Sequence, residues 1–411
     1  MTLPPALLGQ NAGMAWLERC RVETRLKFVV DALKGRLKFA TLCREYGVPR
    51  KTGYKWLARY RERGFVGLED MSRRPLRSPL EVSGDVVAEV VFLRRTHPTW
   101  GPKKLSLLLR EELKGDAPSL RTVARILERS GLVKRKRHRR TGGLPDPGRP
   151  GVQVQKPNDL WTIDFKGWWL ASNGDRCEPL TVRDAYSRFI LGVVVLPGTS
   201  LNPVRRVLEQ LFSKYGLPRA IQSDNGTPFV AAHGGLGLTQ LSAWWLRLGI
   251  EVVRSRPATP SDNGGHERMH RDIAAELESF AALDRRRQQS ECDRWRHDFN
   301  HHRPHEALKM KVPASVYRRS PRRLPTEREP LTYARNLLVR KVSNVGYICH
   351  RLRRVFISAA LAGEQVGLKY RRSGGYELWF AHKRLGIVDF SGPKPMLRPT
   401  TWNSRRVSPT P

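Results

Sequence analysis

Apolar residues recur at three- and four-residue intervals through residues 22–63, and this spacing predicts three short helices. Gly47-Val48-Pro49 separates the second helix from the third, because glycine and proline both end helices. The first two helices would each bury one face, formed by Leu26, Val29, Val30 and Leu33 and by Phe39, Leu42, Cys43 and Tyr46.

The third of these helices is strongly basic, with the sequence RKTGYKWLARYRERG. A helix, a tight turn with glycine and a basic helix follow one another in helix-turn-helix units, whose second helix enters the DNA major groove. We therefore predict a DNA-binding domain over residues 1–75. A small helical bundle with a solvated basic face is the alternative. The expected groove contacts are Arg50, Lys51, Thr52 and Lys55.

Residues 84–133 repeat this organisation with a different sequence. Pro102 suits the first turn of a helix, Ser119 can cap the next helix and Gly131 can end it. We predict a second helix-turn-helix domain over residues 84–140, with an all-helical spacer as the alternative. Its last helix would bury Leu120, Val123, Ala124 and Leu127 and turn Arg121, Thr122 and Arg125 outward as DNA contacts.

The segment KRKRHRR, residues 134–140, has six Lys or Arg in seven positions. Such runs are usually solvated and flexible, and the turn-rich TGGLPDPGRPG follows, so residues 134–152 are predicted to form a linker. We expect the run to contact DNA through Lys134, Arg135, Lys136 and Arg137.

From about residue 155 the pattern becomes α/β. LWTIDFKGWW, EPLTVRDAY and SRFILGVVVL predict three successive strands. A helix ending at Gly216, the strand PRAIQSD, the helix LTQLSAWWLRLG, the strand IEVVRS and the long helix NGGHERMHRDIAAELESFAAL follow. This order predicts a mixed sheet with helices packed on it over residues 153–320.

Short strand-like runs separated by glycine or charge fill residues 333–392 and predict a small β-barrel. Residues 393–411, rich in Pro, Ser and Arg, are predicted to form a disordered tail. The expected fold class is therefore multidomain, with N-terminal all-α helix-turn-helix domains, a central α/β core and a C-terminal small β-barrel.

The charge balance agrees with a DNA-binding protein. The 411 residues carry 75 Lys and Arg against 38 Asp and Glu, a net charge of +37. Such an excess repels itself unless a polyanion neutralises it, and this favours nucleic acid as the partner. An anionic membrane surface and a ribosomal or other RNA scaffold are rival explanations. The chain is longer and more clearly patterned than a simple basic scaffold.

Cysteine usage and hydropathy predict a cytoplasmic protein without a membrane partner. None of the five cysteines forms a Cys-x-x-Cys pair, which argues against zinc fingers and a disulfide framework. The first residues lack the pattern of a signal peptide. The longest apolar run, residues 189–196, is far shorter than the roughly 20 residues that cross a bilayer.

Two aspartates lie at strand positions of the α/β region. Trp161, Ile163 and Phe165 alternate onto one face of the first strand, so Asp164 belongs to the other face. A strand-edge or salt-bridged aspartate is the simplest explanation of Asp164 alone. Asp224 ends a short strand in SDNGTPF, where Asp-Asn-Gly is by itself a turn signal.

A third acid, Glu267, lies near the start of the long helix. It is two residues, roughly 200° of helix rotation, from Met269. It therefore points away from the predicted buried stripe, and for this residue alone simple solvation would be the ordinary explanation. His270 and Arg271 share the face of Glu267, and we expect them to contact DNA. The stripe itself comprises Met269, Ile273, Leu277 and Phe280.

Together these segments resemble the integrase-core transposases of bacterial insertion sequences, which are relatives of the retroviral integrases. The matching sequence motifs are WTIDF around Asp164, SDNGTPF around Asp224, NGGHERMH around Glu267, and then FNHHRPHEAL and PASVY. The resemblance implies a ribonuclease-H-like core in which Asp164, Asp224 and Glu267 are the catalytic acids and the metal ligands. It also implies Mg²⁺ as cofactor, with Mn²⁺ as a substitute.

The implied reaction is DNA cleavage and strand transfer at the ends of an insertion element. The implied partners are double-stranded DNA, both element ends and target, and further copies of the chain in a dimer or higher oligomer. The implied location is the bacterial nucleoid. Two carboxylate-bound metal ions, about 3.5–4 Å apart, can neutralise charge on the attacking and leaving oxygens. A catalytically silent DNA-binding regulator and a nuclease without joining activity are the alternatives; the presence of all three acids favours the enzyme.

The sequence departs from the family pattern in two places. Asp262 stands where the family commonly has a neutral residue, and the interval from Asp224 to Glu267 is long, with the extra residues in VAAHGGLGLTQ. Asp184 is expected to order the first hairpin. The histidines around His297 and His301 are expected to be structural or DNA-facing, although their spacing alone could bind a metal.

Overall fold

The computed structural model describes residues 21–71, 82–113, 117–133, 152–231, 236–255 and 264–400. The chain divides into two compact units, Met1–Val82 and Ser83–Pro411. Asp262 and the basic residues Lys134, Arg135, Lys136 and Arg137 lie outside the described residues. No helix within the described ranges is long and apolar enough to cross a membrane.

The first unit contains the three predicted helices, α1 (Arg21–Lys34), α2 (Phe39–Glu45) and α3 (Arg50–Arg63). The buried face of α1 differs from the prediction, because Leu33 is 51% exposed and Arg25 and Phe28 are buried instead. Helix α3 approaches this face closely at Gly53, where an added Cβ would lie 2.7 Å from the Phe28 ring. The glycine therefore sets which side of α1 is covered.

The second helical segment comprises α4 (Gly84–Thr96), α5 (Pro102–Glu112) and α6 (Leu120–Arg129). Pro102 begins α5 and the Ser119 hydroxyl caps α6 by accepting the Thr122 N–H at 3.3 Å, both as predicted. The buried stripe of α6 consists of Val123, Ile126 and Leu127. Leu120, predicted to be buried, lies in the first helical turn and is 39% exposed.

A mixed six-stranded sheet forms the centre of the second unit, which confirms the predicted α/β core. Its strands are β1 (Leu160–Phe165), β2 (Trp169–Leu170), β3 (Arg176–Asp184), β4 (Ile190–Leu196), β5 (Ala220–Ser223) and β6 (Glu251–Arg254). The order is β2-β3-β1-β5-β6, with β4 on β3. Strands β1, β3 and β4 pair antiparallel, whereas β5 and β6 add to β1 in parallel.

Helices cover both faces of this sheet. They are α7 (Leu201–Tyr215), α8 (Gln240–Arg247), α9 (Gly264–Glu276), α10 (Arg285–His301) and the short α11 (Pro313–Val316). Trp161 and Ile163 of β1 join α7 and α8 in one buried cluster. Met269 and Ile273 of α9 join α10 and the opposite side of β4 in another. The alternation predicted for β1 is confirmed, and it leaves Asp164 on the α9 side.

The C-terminal region differs from the predicted barrel. Its strands are β7 (Leu338–Lys341), β8 (Tyr347–His350), β9 (Arg353–Phe356), β10 (Gln365–Tyr370), β11 (Tyr376–Phe380), β12 (Lys383–Asp389) and β13 (Met396–Pro399). Five form an antiparallel sheet in the order β13-β12-β11-β10-β7, while β8 and β9 pair only with each other. Within the described residues no pairing joins β13 to β7, so no closed barrel forms.

Strand β13 also corrects part of the expectation of a disordered tail over residues 393–411, of which residues 401–411 lie outside the described residues. Its backbone pairs with β12, with Met396 opposite Asp389 and Leu397 opposite Val388. The interior of this C-terminal sheet is continuous with the central core, and Arg247 of α8 forms an ion pair with Glu364 at 2.7 Å. Composition predicted disorder here because it does not reveal that an edge of β12 is free for pairing.

Candidate active site

The parallel pairing of β1 with β5 brings two acids to the same edge of the sheet. Thr162 pairs with Gln222 in this register. If this register continued for two more residues, Asp164 of β1 would be level with Asp224, which directly follows β5, and on the same face, because two residues complete one side-chain period. Neighbouring strands lie about 4.8 Å apart. Residues 60 positions apart in sequence are thus expected to be neighbours at the carboxyl ends of two strands.

Asp224 follows β5 in a tight turn whose conformation depends on Gly226. An added Cβ at Gly226 would lie 2.9 Å from Asp224 Oδ2. Burial raises the pKa of Asp224, and a hydrogen bond from the Gly226 N–H partly opposes this rise. A bound cation would stabilise the charged form of such a buried carboxylate.

Helix α9 carries the third acid. Glu267 is exposed in its first turn, while His266, Met269 and Ile273 are buried, so the predicted orientation of Glu267 is confirmed. Phe280, predicted to extend the buried stripe, is 76% exposed. Helix α9 ends at Glu276, and a 3₁₀ turn that follows changes the direction of the chain.

A side-chain contact fixes the first turns of α9 to the strand edge. His270 Nε2 lies 2.9 Å from the Thr181 hydroxyl, and that hydroxyl donates to the Asp164 carbonyl at 2.8 Å. Thr181 is also the register partner of Asp164 across β3 and β1. Glu267 is one helical turn before His270, so this chain of contacts brings its turn of the helix to the edge that holds Asp164.

The contact gives His270 a role that differs from the predicted one. Its ring faces the sheet rather than solvent, whereas Arg271 is exposed. Burial, Lys166 and Arg183 lower the pKa of His270 to about 4, so the ring is neutral near pH 7. We therefore revise His270 from a DNA contact to a residue that holds α9 against β3.

Two buried residues, His266 on the inner face of α9 and Arg183 beneath the helix, were missed by the sequence reasoning. His266 is 1% exposed and Arg183 is 7% exposed. Burial and the charge of Arg183 lower the pKa of His266, which keeps its ring neutral. At Gly265 an added Cβ would lie 2.5 Å from the Arg183 guanidinium. The Gly264-Gly265 pair that begins the helix was the available sequence signal of this close approach.

Most of the other predicted DNA contacts that lie within the described residues are on accessible surfaces. Arg50, Lys51 and Lys55 are exposed along α3, and Thr52 is partly buried. On α6, Arg121 and Arg125 are exposed; the Thr122 hydroxyl lies 3.0 Å from the Ser119 hydroxyl of the helix cap.

Comparison with known families agrees with this architecture. Models described as "Integrase core domain" match residues 154–260 and 248–313. A "Helix-turn-helix domain" model matches residues 24–75 and a "Homeodomain-like domain" model matches residues 52–127. The insertion element IS476 uncharacterized 39.2 kDa protein of Xanthomonas euvesicatoria is 31% identical over 267 residues, covering 62% of this chain and 71% of that protein.

The chain belongs to the integrase-core insertion-sequence transposase family. Another relative is the insertion element IS407 uncharacterized 31.7 kDa protein of Burkholderia multivorans, 28% identical over 56% of this chain and 79% of that protein. Among solved structures, the HTLV-2 integrase catalytic core domain in complex with magnesium matches with a TM-score of 0.32 and 16% identity, over 40% of this chain and 100% of that one.

In this transposase-family chain, the segment FNHHRPHEAL fastens α10 to its neighbours. The Asn300 amide donates to the Ile190 carbonyl at 2.9 Å and accepts the Ile190 N–H at 2.8 Å, which ties α10 to β4. Arg303, 3% exposed at its side chain, donates to Asp272 at 3.0 Å and to Glu276 at 2.5 Å on α9. The segment therefore supports the helix that carries Glu267.

Asp184 has the structural role predicted for it. Its side chain is fully buried and accepts the N–H groups of Asn158 and Ser187, both at 2.7 Å, and the Ser187 hydroxyl at 2.5 Å. These bonds order the turn between β3 and β4. Across the described ranges, no group of three or more His, Cys, Asp or Glu side chains is arranged to hold a metal ion as it stands.

Proposed function

We propose that this chain is an active DNA transposase that cuts DNA at the ends of its insertion element and joins the ends to target DNA. Asp164, Asp224 and Glu267 are the proposed catalytic acids. The observation that carries this proposal is the parallel register of β1 and β5, which leads towards Asp164 and Asp224 at one edge of the sheet, beside the helix that bears Glu267. The His270–Thr181 contact supports the inclusion of Glu267 at the same edge.

The donor set fits divalent metal ions. Three carboxylates offer only oxygen ligands, which Mg²⁺ and Mn²⁺ prefer, and leave room for water and phosphate oxygens. His266 and His270 are neutral near pH 7 because their pKa values are lowered, so neither adds positive charge beneath the cations. Bound Mg²⁺ would supply charge neutralisation at the attacked phosphate and at the leaving oxygen.

The chain's own residues perform the positioning. Asp164 is held by β1 and Asp224 by the turn that follows β5, while Glu267 is held by a helix that His270 and Arg303 anchor at separate points. Preorganised carboxylates at a rigid edge lose little freedom when the phosphate arrives. No covalent bond between protein and DNA is needed for this chemistry.

The helical segments are the proposed readers of the element ends. Arg50, Lys51 and Lys55 would enter the major groove with α3, and Arg121 and Arg125 would follow with α6. The basic run at residues 134–140 would neutralise phosphates. Since two element ends must be joined to one target, we infer a dimer or higher oligomer on DNA, in the bacterial nucleoid.

The test is strand cleavage and joining by the full-length chain on labelled element-end DNA with Mg²⁺. Asp164→Asn, Asp224→Asn and Glu267→Gln should each lower the rate by orders of magnitude and leave end binding intact. Glu209→Gln, on the opposite face of the sheet, is the matched control and should stay active. Mn²⁺ should support the reaction, while Zn²⁺ or a chelator should not.

The same assay decides the role of Asp262 and separates the rival functions. Asp262→Asn should cleave normally, because Asp262 is not one of the three proposed metal ligands. An inactive Asp262→Asn beside an active Glu267→Gln would mean that the third ligand has been misassigned. Specific end binding without cleavage would indicate a regulator, and cleavage without joining would indicate a nuclease.

A further inference from the structure

The hairpin of β8 and β9, Tyr347–Phe356, has an outer face that the fold does not use. Its inner face buries Ile348 and Val355, which pair across the hairpin. On the outer face Tyr347 pairs with Phe356, each 42% exposed, with ring centroids 5.3 Å apart. A solvated face would ordinarily carry polar side chains at these positions, so the aromatic pair needs another explanation.

The tip of the hairpin presents an apolar side chain in a costly backbone conformation. Arg351 and Leu352 form the two-residue turn with φ values of 46° and 62°. Turns of this type favour asparagine and glycine, because other side chains are strained at positive φ. Leu352 is nevertheless 98% exposed. The residue therefore contributes no burial to the fold while adding strain to the turn.

The two residues that flank the turn, His350 and Arg353, are firmly held. The Arg353 guanidinium donates to the carbonyls of Phe390 at 2.6 Å, Pro393 at 3.0 Å and Gly392. His350 Nε2 lies 3.1 Å from the Tyr376 hydroxyl of β11. The exposed residues are thus displayed by a fixed element, and a partner would find them in place.

The surrounding charge selects the kind of partner. Residues 333–400 contain 13 Lys or Arg against three Asp or Glu. An open groove of about 570 Å³ runs beside the outer face and includes Lys341, Asn344 and Arg354 in its lining. A second copy of this domain would bring the same positive charge against it, whereas a polyanion would be attracted.

We propose that this hairpin binds DNA whose bases are unpaired, with Tyr347 and Phe356 stacking on bases and Leu352 inserted between them. Arg354 and Lys341 would contact the phosphates. Aromatic side chains beside a basic groove are the features that hold unpaired strands, and apolar side chains inserted between base steps keep them unstacked. The inference rests on the proposed function, since cutting and joining of DNA ends exposes unpaired bases.

The parent protein for the test is the full chain carrying Asp164→Asn, with a chelator present. Its binding is measured to a labelled duplex and to the same duplex with a short unpaired bubble. Leu352→Gly and the double variant Tyr347→Ala, Phe356→Ala should each weaken bubble binding about 10-fold, the lower part of the range for lost base stacking. Binding to the intact duplex should change less than about twofold. Tyr370→Ala, an exposed aromatic on the neighbouring β10, is the matched control and should bind both DNAs normally.

Two further readouts separate the outcomes. Fluorescence of 2-aminopurine in the bubble should be quenched by the parent chain and not by the double variant. Leu352→Gly should fold at least as stably as the parent, because glycine relieves the strained turn. Equal bubble binding by parent and variants would overturn the proposal. It would also be overturned if the variants bound DNA normally but had lost self-association or binding to anionic vesicles. Because the parent lacks cleavage activity, failure here leaves the proposed function untouched.

Discussion

The two helical segments have the same three-helix plan and a basic last helix, but they differ in where their buried polar groups find partners. In the first, Arg25 donates to the Leu68 carbonyl and to Asp70, both at 2.7 Å, and stacks on Trp56. In the second, Trp100 is 1% exposed and lies against Arg303 of the core, and the Thr99 hydroxyl donates to Glu276. The first segment completes its core internally, whereas the second completes it on the α/β core.

The difference connects the second segment to the proposed catalytic helix. Glu276 of α9 accepts hydrogen bonds from Thr99, from Trp295 Nε1 at 2.5 Å and from Arg303 at 2.5 Å. Glu267 lies on the same helix. We therefore expect substitutions in the second segment to alter the stability of α9, the helix that carries Glu267. Changes in the contacts that Arg25 makes should remain within the first segment.

The largest effect is expected from Arg303→Met. Loss of the guanidinium removes the ion pairs of the partly buried Asp272 and Glu276, and breaking a buried ion pair typically costs about 3–5 kcal/mol. Hydrogen exchange should rise in α9, α10 and α5 together, and DNA cleavage should fall with it. Arg294→Met, which removes an exposed ion pair on α10, is the control and should cost less than about 0.5 kcal/mol. Exchange that rises in α10 alone would disprove the link between the second segment and α9.

A smaller, local effect is expected from Arg25→Met. The variant loses hydrogen bonds from a buried cation, a loss of about 1–3 kcal/mol. Hydrogen exchange should increase in α1, α2 and α3, while α9 keeps its parental protection and cleavage of preformed element-end complexes is unchanged. Increased exchange in α9 would show that the contacts of the first segment are not confined to that segment.

The smallest effect concerns pH. Burial in the contact with the core, together with Arg303, lowers the pKa of Lys104 to about 8. Between pH 8 and 10 the unfolded chain binds more protons at this site than the folded chain, so this residue makes stability rise with pH. Lys104→Met should flatten that rise in urea unfolding midpoints, whereas Lys103→Met, an exposed neighbour, should keep it. Identical slopes in all three proteins would contradict the burial of Lys104.

Sequence periodicity predicted the helices, the order of the α/β core and the orientation of Asp164 and Glu267, because each depends on which face of one element is buried. It did not predict the contacts of Arg303 or Thr99, whose partners lie far away in sequence. It also predicted that Leu33 and Phe280 would be buried. Leu33 is exposed because α1 buries a different face, and Phe280 is exposed because α9 ends at Glu276. The open C-terminal sheet and β13 were missed because strand pairing is decided between segments, and local composition says little about it.

The central claim is that Asp164, Asp224 and Glu267 form one metal site. Anomalous diffraction from crystals of the full chain bound to element-end DNA and Mn²⁺ tests it directly. We predict manganese peaks within about 2.2 Å of carboxylate oxygens of all three residues. Peaks that involve Asp262 in place of Glu267, or that lie away from the ends of β1 and β5, would contradict the account.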